Sequence, residues 1–234
     1  MKTVLGIGGH PDDLEIFCGG TLAKFSSQGW KVVMVSVCSG DKGVSSDRKG
    51  DIVLIRKKEA ENSAKVIGAD SIILGFSDSS IFPGEKLRNS LVELIRKIQP
   101  TLILTHFIED YHADHRVVAE EVVNSAYIST SKGFKTDSEP LKIIPVVYYM
   151  DTFAGIGFIP TEYVDITETI NTKIEMIKKH TSQFIHLKDR GGIDIIELVK
   201  DMAKFRGWQS GVKYAEGFRQ VFFWPNLKTR RLLP

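Results

Sequence analysis

Apolar residues are spaced along this chain in two alternating rhythms. Short runs rich in β-branched and other apolar residues cover residues 3–7, 31–37, 71–75, 101–105 and 145–150 and predict strands. Between most of them lie longer segments with apolar positions at helical spacing, at 14–28, 52–67, 86–98, 115–129, 168–182 and 193–205. Several of these stop at a breaker such as Gly29, Gly68 or Pro100. Strands alternating with helices build parallel crossover units, so the pattern predicts an α/β fold in three layers, a mostly parallel central sheet with helices on both faces. Two polar stretches interrupt the rhythm: 39–50, rich in glycine, serine and charge, and 129–141. They read as a long loop and a linker, and no internal repeat is present.

Composition narrows this picture. A chain of 234 residues, 42% hydrophobic, can bury a sizeable core. The 31 basic and 29 acidic residues leave a net charge of +2, and no basic run exceeds Arg56-Lys57-Lys58, which argues against a nucleic-acid partner. The two cysteines, Cys18 and Cys38, sit among apolar residues and read as buried thiols of a reducing cytosol. The apolar stretch after Lys2 is too short for a signal-peptide core and no later run approaches a membrane span, so the expectation is a cytoplasmic protein with no membrane partner.

The chemistry gathers at two strand ends. The first predicted strand runs into Gly8-Gly9-His10-Pro11-Asp12-Asp13. Gly6 and Gly8 would begin a dinucleotide fingerprint, but its third glycine would fall at Pro11, which speaks against a nucleotide. The fourth predicted strand is followed within ten residues by Tyr111-His112-Ala113-Asp114-His115. In the strand order 3-2-1-4-5, strands one and four flank the switch point, and both clusters face one crevice. Two histidines and a carboxylate form the ligand set of a catalytic zinc that keeps its fourth position for water, and His10, Asp13 and His115 are the expected metal ligands. The same donors accept Fe2+ and other divalent metals. Asp12 is then placed to act as general base on the activated water. His112, as a cation, would steady the oxyanion or protonate the leaving amine, with Asp114 orienting it. Any one of these residues alone reads better as a helix cap or a surface group at a helix start. The case rests on both clusters occurring together.

The two clusters resemble the motifs of the PIG-L/LmbE-type zinc N-deacetylases, His-Pro/Ala-Asp-Asp and His-Pro-Asp-His. Here they stand as His10-Pro11-Asp12-Asp13, followed by Leu14-Glu15 and Gly19-Gly20-Thr21-Leu22, and as His112-Ala113-Asp114-His115, with Ala113 in place of the usual proline. Further similarity runs through Ile55-Arg56-Lys57-Lys58-Glu59-Ala60, Ser182-Gln183-Phe184 and Tyr214-Ala215-Glu216-Gly217-Phe218. The resemblance implies a single Rossmann-like domain over residues 1–234. It also implies a zinc-dependent hydrolase that removes acetyl from an N-acetylglucosamine-type sugar or glycoconjugate, with the ligands and base already named. Arg56 would reach the substrate and Tyr214 would border the site. A homo-oligomer, trimer or hexamer, is implied as well. His106 has no place in the motif and reads as structural, as do His180 and His186. The stretches 39–50, 153–160 and the aromatic-rich 208–224 are expected to form the pocket rim. Two other classes compete: a non-catalytic carbohydrate- or metal-binding protein of the same fold, and a phosphoesterase with paired metals, which these two clusters supply too few carboxylates to bridge.

Overall fold

The computed structural model describes residues 2–43, 51–184, 192 and 194–224. Its elements are β1 (Thr3–Gly8), α1 (Asp13–Ser27), β2 (Lys31–Cys38), α2 (Ile52–Val66), β3 (Asp70–Phe76), α3 (Glu85–Ile98), β4 (Leu102–Thr105), α4 (Ala113–Ile128), β5 (Val146–Met150), β6 (Glu162–Asp165), α5 (Ile170–Ile177), α6 (Ile195–Ser210) and β7 (Ala215–Val221). The strands form one sheet in the order β3-β2-β1-β4-β5-β7-β6. The first five pair in parallel, while β7 runs antiparallel to both β5 and β6. The order reverses between β1 and β4, so the crevice beyond their carboxyl ends is the switch point.

Strand alternation sorts the core into two faces. Leu5, Ile7, Val33, Val35, Val37 and Ile103 meet Leu91 and Ile95 of α3 and Val118 and Val122 of α4 on one side. Val4, Val32, Met34 and Leu104 meet Phe17 and Leu22 of α1, Ala64 of α2 and Met176 of α5 on the other. The expected three layers are present. Two strands had no clear sequence signal. β6 is four residues long with a carboxylate at each end, and β7 interrupts its apolar positions with Glu216, Gly217, Arg219 and Gln220. The stretch 208–224 is the end of α6 followed by an interior strand that pairs with both β5 and β6.

One long-range contact fixes α1, the helix that carries the first motif. α1 breaks its regular geometry at Cys18 (φ −142°), which frees backbone N–H groups in mid-helix. The carboxylate of Glu216, from β7, accepts from the N–H of Gly20 (3.0 Å) and Thr21 (2.7 Å), and Lys173 of α5 donates to the same carboxylate. A Cβ at Gly20 would lie 2.9 Å from the Ile166 side chain, so only glycine lets the second half of α1 approach this closely. Both Glu216 and Lys173 are buried. Truncation to Glu216→Ala strands an ammonium and two N–H donors and is expected to cost about 3–5 kcal/mol. Denaturant unfolding checks this, and a loss near zero would show that Glu216 does not hold the helix.

Candidate active site

β1 delivers its cluster as the strand ends at Gly8, and β4 ends at Thr105, directly before His106. α1 begins at Asp13 and α4 at Ala113, so both clusters lie where a strand gives way to a helix start. The N–H of His10 donates to Asp13 Oδ2 (2.7 Å), closing the turn. A Cβ at Gly9 would lie 3.2 Å from both Asp13 Oδ2 and His115 Cδ2, so the turn carries glycine there because two functional side chains press on its backbone.

The structure brings His10, Asp13 and His115 together as one donor group, one ligand atom from each within 4.8 Å of the others. His10 Nδ1 and His115 Nε2 each lie 3.4 Å from Asp13 Oδ2. Ligands at about 2.0–2.1 Å from a tetrahedral zinc are separated by about 3.4 Å, so this spacing fits that ion. The opposite ring nitrogens are also held: His10 Nε2 by Asp114 Oδ2 (3.0 Å) and His115 Nδ1 by Asp110 Oδ2 (3.0 Å). A carboxylate behind each imidazole fixes its orientation and raises its basicity, as in histidine-ligated zinc sites.

These carboxylates also set the charge state. Burial alone would lower the pKa of His10, but hydrogen bonds to Asp114 and Asp13 outweigh it and raise it to about 10. His115 follows the same balance, with Asp13 and Asp110 raising it to about 9. Asp13 is pushed up by burial, yet the charge of His115 and hydrogen bonding with His10 hold it well below the usual carboxylate range. His106 goes the other way: burial and the neighbouring His115 lower it to about 4, leaving a neutral ring stacked on His115 at 3.7 Å between centroids.

Asp12 and His112 lie partly open to solvent at the edge of this group. Asp12 has φ +123°, a strained conformation for a residue with a Cβ. Arg56 braces it: Nη2 donates to Pro11 O (2.7 Å) and lies 3.4 Å from Asp12 Oδ1, while Nη1 donates to Gly40 O (3.3 Å). Burial raises the Asp12 pKa to about 6 against the pull of Arg56. Arg56 is only 2% exposed and its reach is spent on the loop, so in this conformation it positions Asp12 instead of projecting into the crevice as expected.

Two roles read from the sequence change. Asp114 does not orient His112 with its carboxylate, which is committed to His10 Nε2 and to the N–H of Ser79 (2.7 Å). Its backbone N–H instead donates to His112 Nδ1 (3.3 Å), since α4 begins there and His112 is its N-cap. That bond requires a bare Nδ1, and burial with the charges of His115 and His10 lowers the His112 pKa. With Nδ1 accepting, the arrangement suits a neutral imidazole with its proton on Nε2 in place of the expected cation. Tyr214, the residue before β7, packs against the apolar cluster of Ile166, Ile170, Ile174 and Ala203, away from the donor triad.

Three contributors escaped sequence reasoning. His106 Nε2 lies 3.0 Å from Asp13 Oδ2, so the ring taken as structural abuts a ligand; its place directly after β4 was the available signal. Asp110, five residues before His115, holds His115 and the N–H of His112 with no motif to mark it. Ser79 comes from the loop after β3. His180 pairs with buried Glu15 (3.0 Å), in keeping with a structural role, and His186 lies outside the described residues.

An α/β sheet with a histidine–aspartate donor group at its switch point is the class that fold and site define. Residues 5–126 match the family model described as PIG-L, GlcNAc-PI de-N-acetylase, and the chain belongs to that family. It is similar to a diacetylchitobiose deacetylase of Thermococcus kodakarensis, with 28% identity over 94% of this chain and 84% of that protein. It is also similar to a 4-oxalmesaconate hydratase of Pseudomonas putida, with 25% identity over 95% of this chain and 90% of that one. The structure of an N,N'-diacetylchitobiose deacetylase from Pyrococcus horikoshii, solved with an inhibitor, superposes with a TM-score of 0.82 at 29% identity, covering 94% of this chain and 84% of that one.

Metal uptake should depend steeply on pH. His10 and His115 are protonated at neutral pH, with pKa values of about 10 and about 9, whereas a metal takes the neutral ring. Each proton expelled strengthens binding about tenfold per pH unit, until pH passes that ring's pKa. Calorimetric titration of Zn2+ at pH 7 in buffers of different ionisation enthalpy should report about two protons released per ion; none released would mean that both rings are already neutral.

Proposed function

We propose that this protein is a zinc-dependent N-deacetylase that hydrolyses the acetamide of an N-acetylglucosamine-type sugar or glycoconjugate. The observation that carries the reading is the donor triad of His10 Nδ1, Asp13 Oδ2 and His115 Nε2, spaced for a tetrahedral ion and backed by Asp114 and Asp110. When bound, the metal supplies a Lewis acid that polarises the acetyl carbonyl and lowers the pKa of water.

The chain's own groups do the proton work. Asp12, held by Arg56 and strained toward the crevice edge, accepts a proton from the attacking water. A pKa of about 6 keeps its carboxylate ionised at neutral pH while leaving it basic enough to act. His112 donates from Nε2 to the carbonyl oxygen as charge grows there, and as a neutral donor it adds no positive charge beside the metal held by His10 and His115. The proton held by Asp12 then passes to the nitrogen of the departing amine, and acetate leaves. Tyr111, next to His112 and 59% exposed, offers an aromatic surface of the kind sugars stack on.

Similarity to deacetylases of acetylated amino sugars supports the substrate class. A second reading, addition of water to a carbon–carbon double bond, is favoured by the hydratase relative. Acetate release from N-acetylglucosamine, its malate conjugate and diacetylchitobiose separates the two. Release that tracks about one zinc per chain is the expected result. Hydration of an unsaturated diacid with no acetate from any sugar would reverse the choice. Asp12→Ala should lower kcat by about 10²–10⁴ with zinc content unchanged, and retained activity would remove Asp12 from the base role.

A further inference from the structure

Cys38 closes β2, the neighbour of β1 on the side away from β4. Its backbone N–H donates to Gly9 O (2.7 Å), which draws the end of β2 against the first motif. As a result the Cys38 sulfur, a ring nitrogen of His10 and a carboxylate oxygen of Asp114 come within 4.8 Å of one another. These donors come from three separate segments: the loop after β1, the end of β2 and the first turn of α4. His10 thus belongs to two donor groups. Nδ1 faces Asp13, while Nε2 lies 3.0 Å from Asp114 Oδ2.

We propose that Cys38, His10 and Asp114 form a second metal site, selective for thiophilic divalent cations, whose occupation inhibits the enzyme. The sulfur decides the ligand class. The triad of the proposed hydrolytic centre offers only nitrogen and oxygen, whereas a thiolate favours soft d10 ions, Cd2+ or Zn2+ beyond the first equivalent, over Mg2+ or Ca2+. Binding forms a metal–sulfur bond and releases the thiol proton to solvent. The ion also displaces the remaining ring proton of His10, from Nε2 to solvent, and binds that nitrogen and an oxygen of Asp114, and so removes the hydrogen bond that aims Nδ1 at the first site. The two groups share one imidazole, so filling the second weakens the first. The side chain of His10 is 13% exposed, which gives an ion a way in from the crevice. Inhibition rests on the reading of His10 as a ligand of the hydrolytic centre; the site itself does not.

The test titrates Cd2+ into protein holding one equivalent of zinc, following thiolate-to-cadmium charge-transfer absorption in the ultraviolet alongside acetate release. The band should saturate at one Cd2+ per chain as activity falls in step. Cys38→Ala and Cys38→Ser should abolish the band and, relative to each variant's own cadmium-free rate, raise the inhibitory concentration roughly tenfold or more. His115→Ala removes a donor of the first group alone and should keep the band. Absence of the band, or its survival in both Cys38 variants, overturns the site; a saturated band with undiminished activity overturns the inhibition. If no substrate releases acetate, the band and its loss in the Cys38 variants still decide whether the site exists.

Discussion

The crevice is organised around one buried carboxylate. Asp13 Oδ2 accepts the N–H of His10 and lies within 3.4 Å of nitrogens on His10, His106 and His115. It stands where β1 becomes α1, and its position locks the turn that aims His10. An ionised carboxylate in a buried place costs several kcal/mol in desolvation unless opposite charge or hydrogen-bond donors surround it. Here protonated imidazoles supply that charge, and a divalent cation replaces them without altering the sign of the balance. The same arrangement that stabilises the polypeptide would therefore be the one to hold such an ion.

Around that centre the remaining groups are arranged in pairs. Each ligand histidine has a carboxylate behind it, Asp114 for His10 and Asp110 for His115, and each of those carboxylates also holds a backbone N–H, of Ser79 and of His112. The helix start at α4 thus ties ring orientation to backbone position. Arg56 extends the scheme to Asp12, anchoring the strained residue through Pro11 and Gly40. Farther out, the Glu216–Lys173 pair holds the broken helix that presents the first motif, so the last strand of the sheet bears on residues near the start of the chain.

Family membership and the mixed activities of the relatives make the same point. Relatives named as a deacetylase and as a hydratase share this scaffold, so the fold alone does not decide which bond reacts.

The sequence by itself marked the five parallel strands and the two clusters that follow the first and the fourth, and it offered His10, Asp13 and His115 as a donor set; the strand order was taken from the usual doubly wound arrangement. These are local signals: apolar spacing marks each element, and motif residues lie within a few positions of a strand end. What depended on distant parts of the chain was decided only by tertiary structure. β6 and β7 carry weak alternation and become strands because β5 leaves an edge to pair with. Asp114 serves His10 across 104 residues instead of its neighbour His112, because the β1–β4 pairing brings the two loops face to face. His106 joins Asp13 for the same reason, Tyr214 packs into the cluster formed with α5 and α6, and Cys38 meets His10 because adjacent parallel strands end level. Spacing along a chain records which residues can share an element; which side chains meet across elements is set by sheet order and register, and no single segment carries that information.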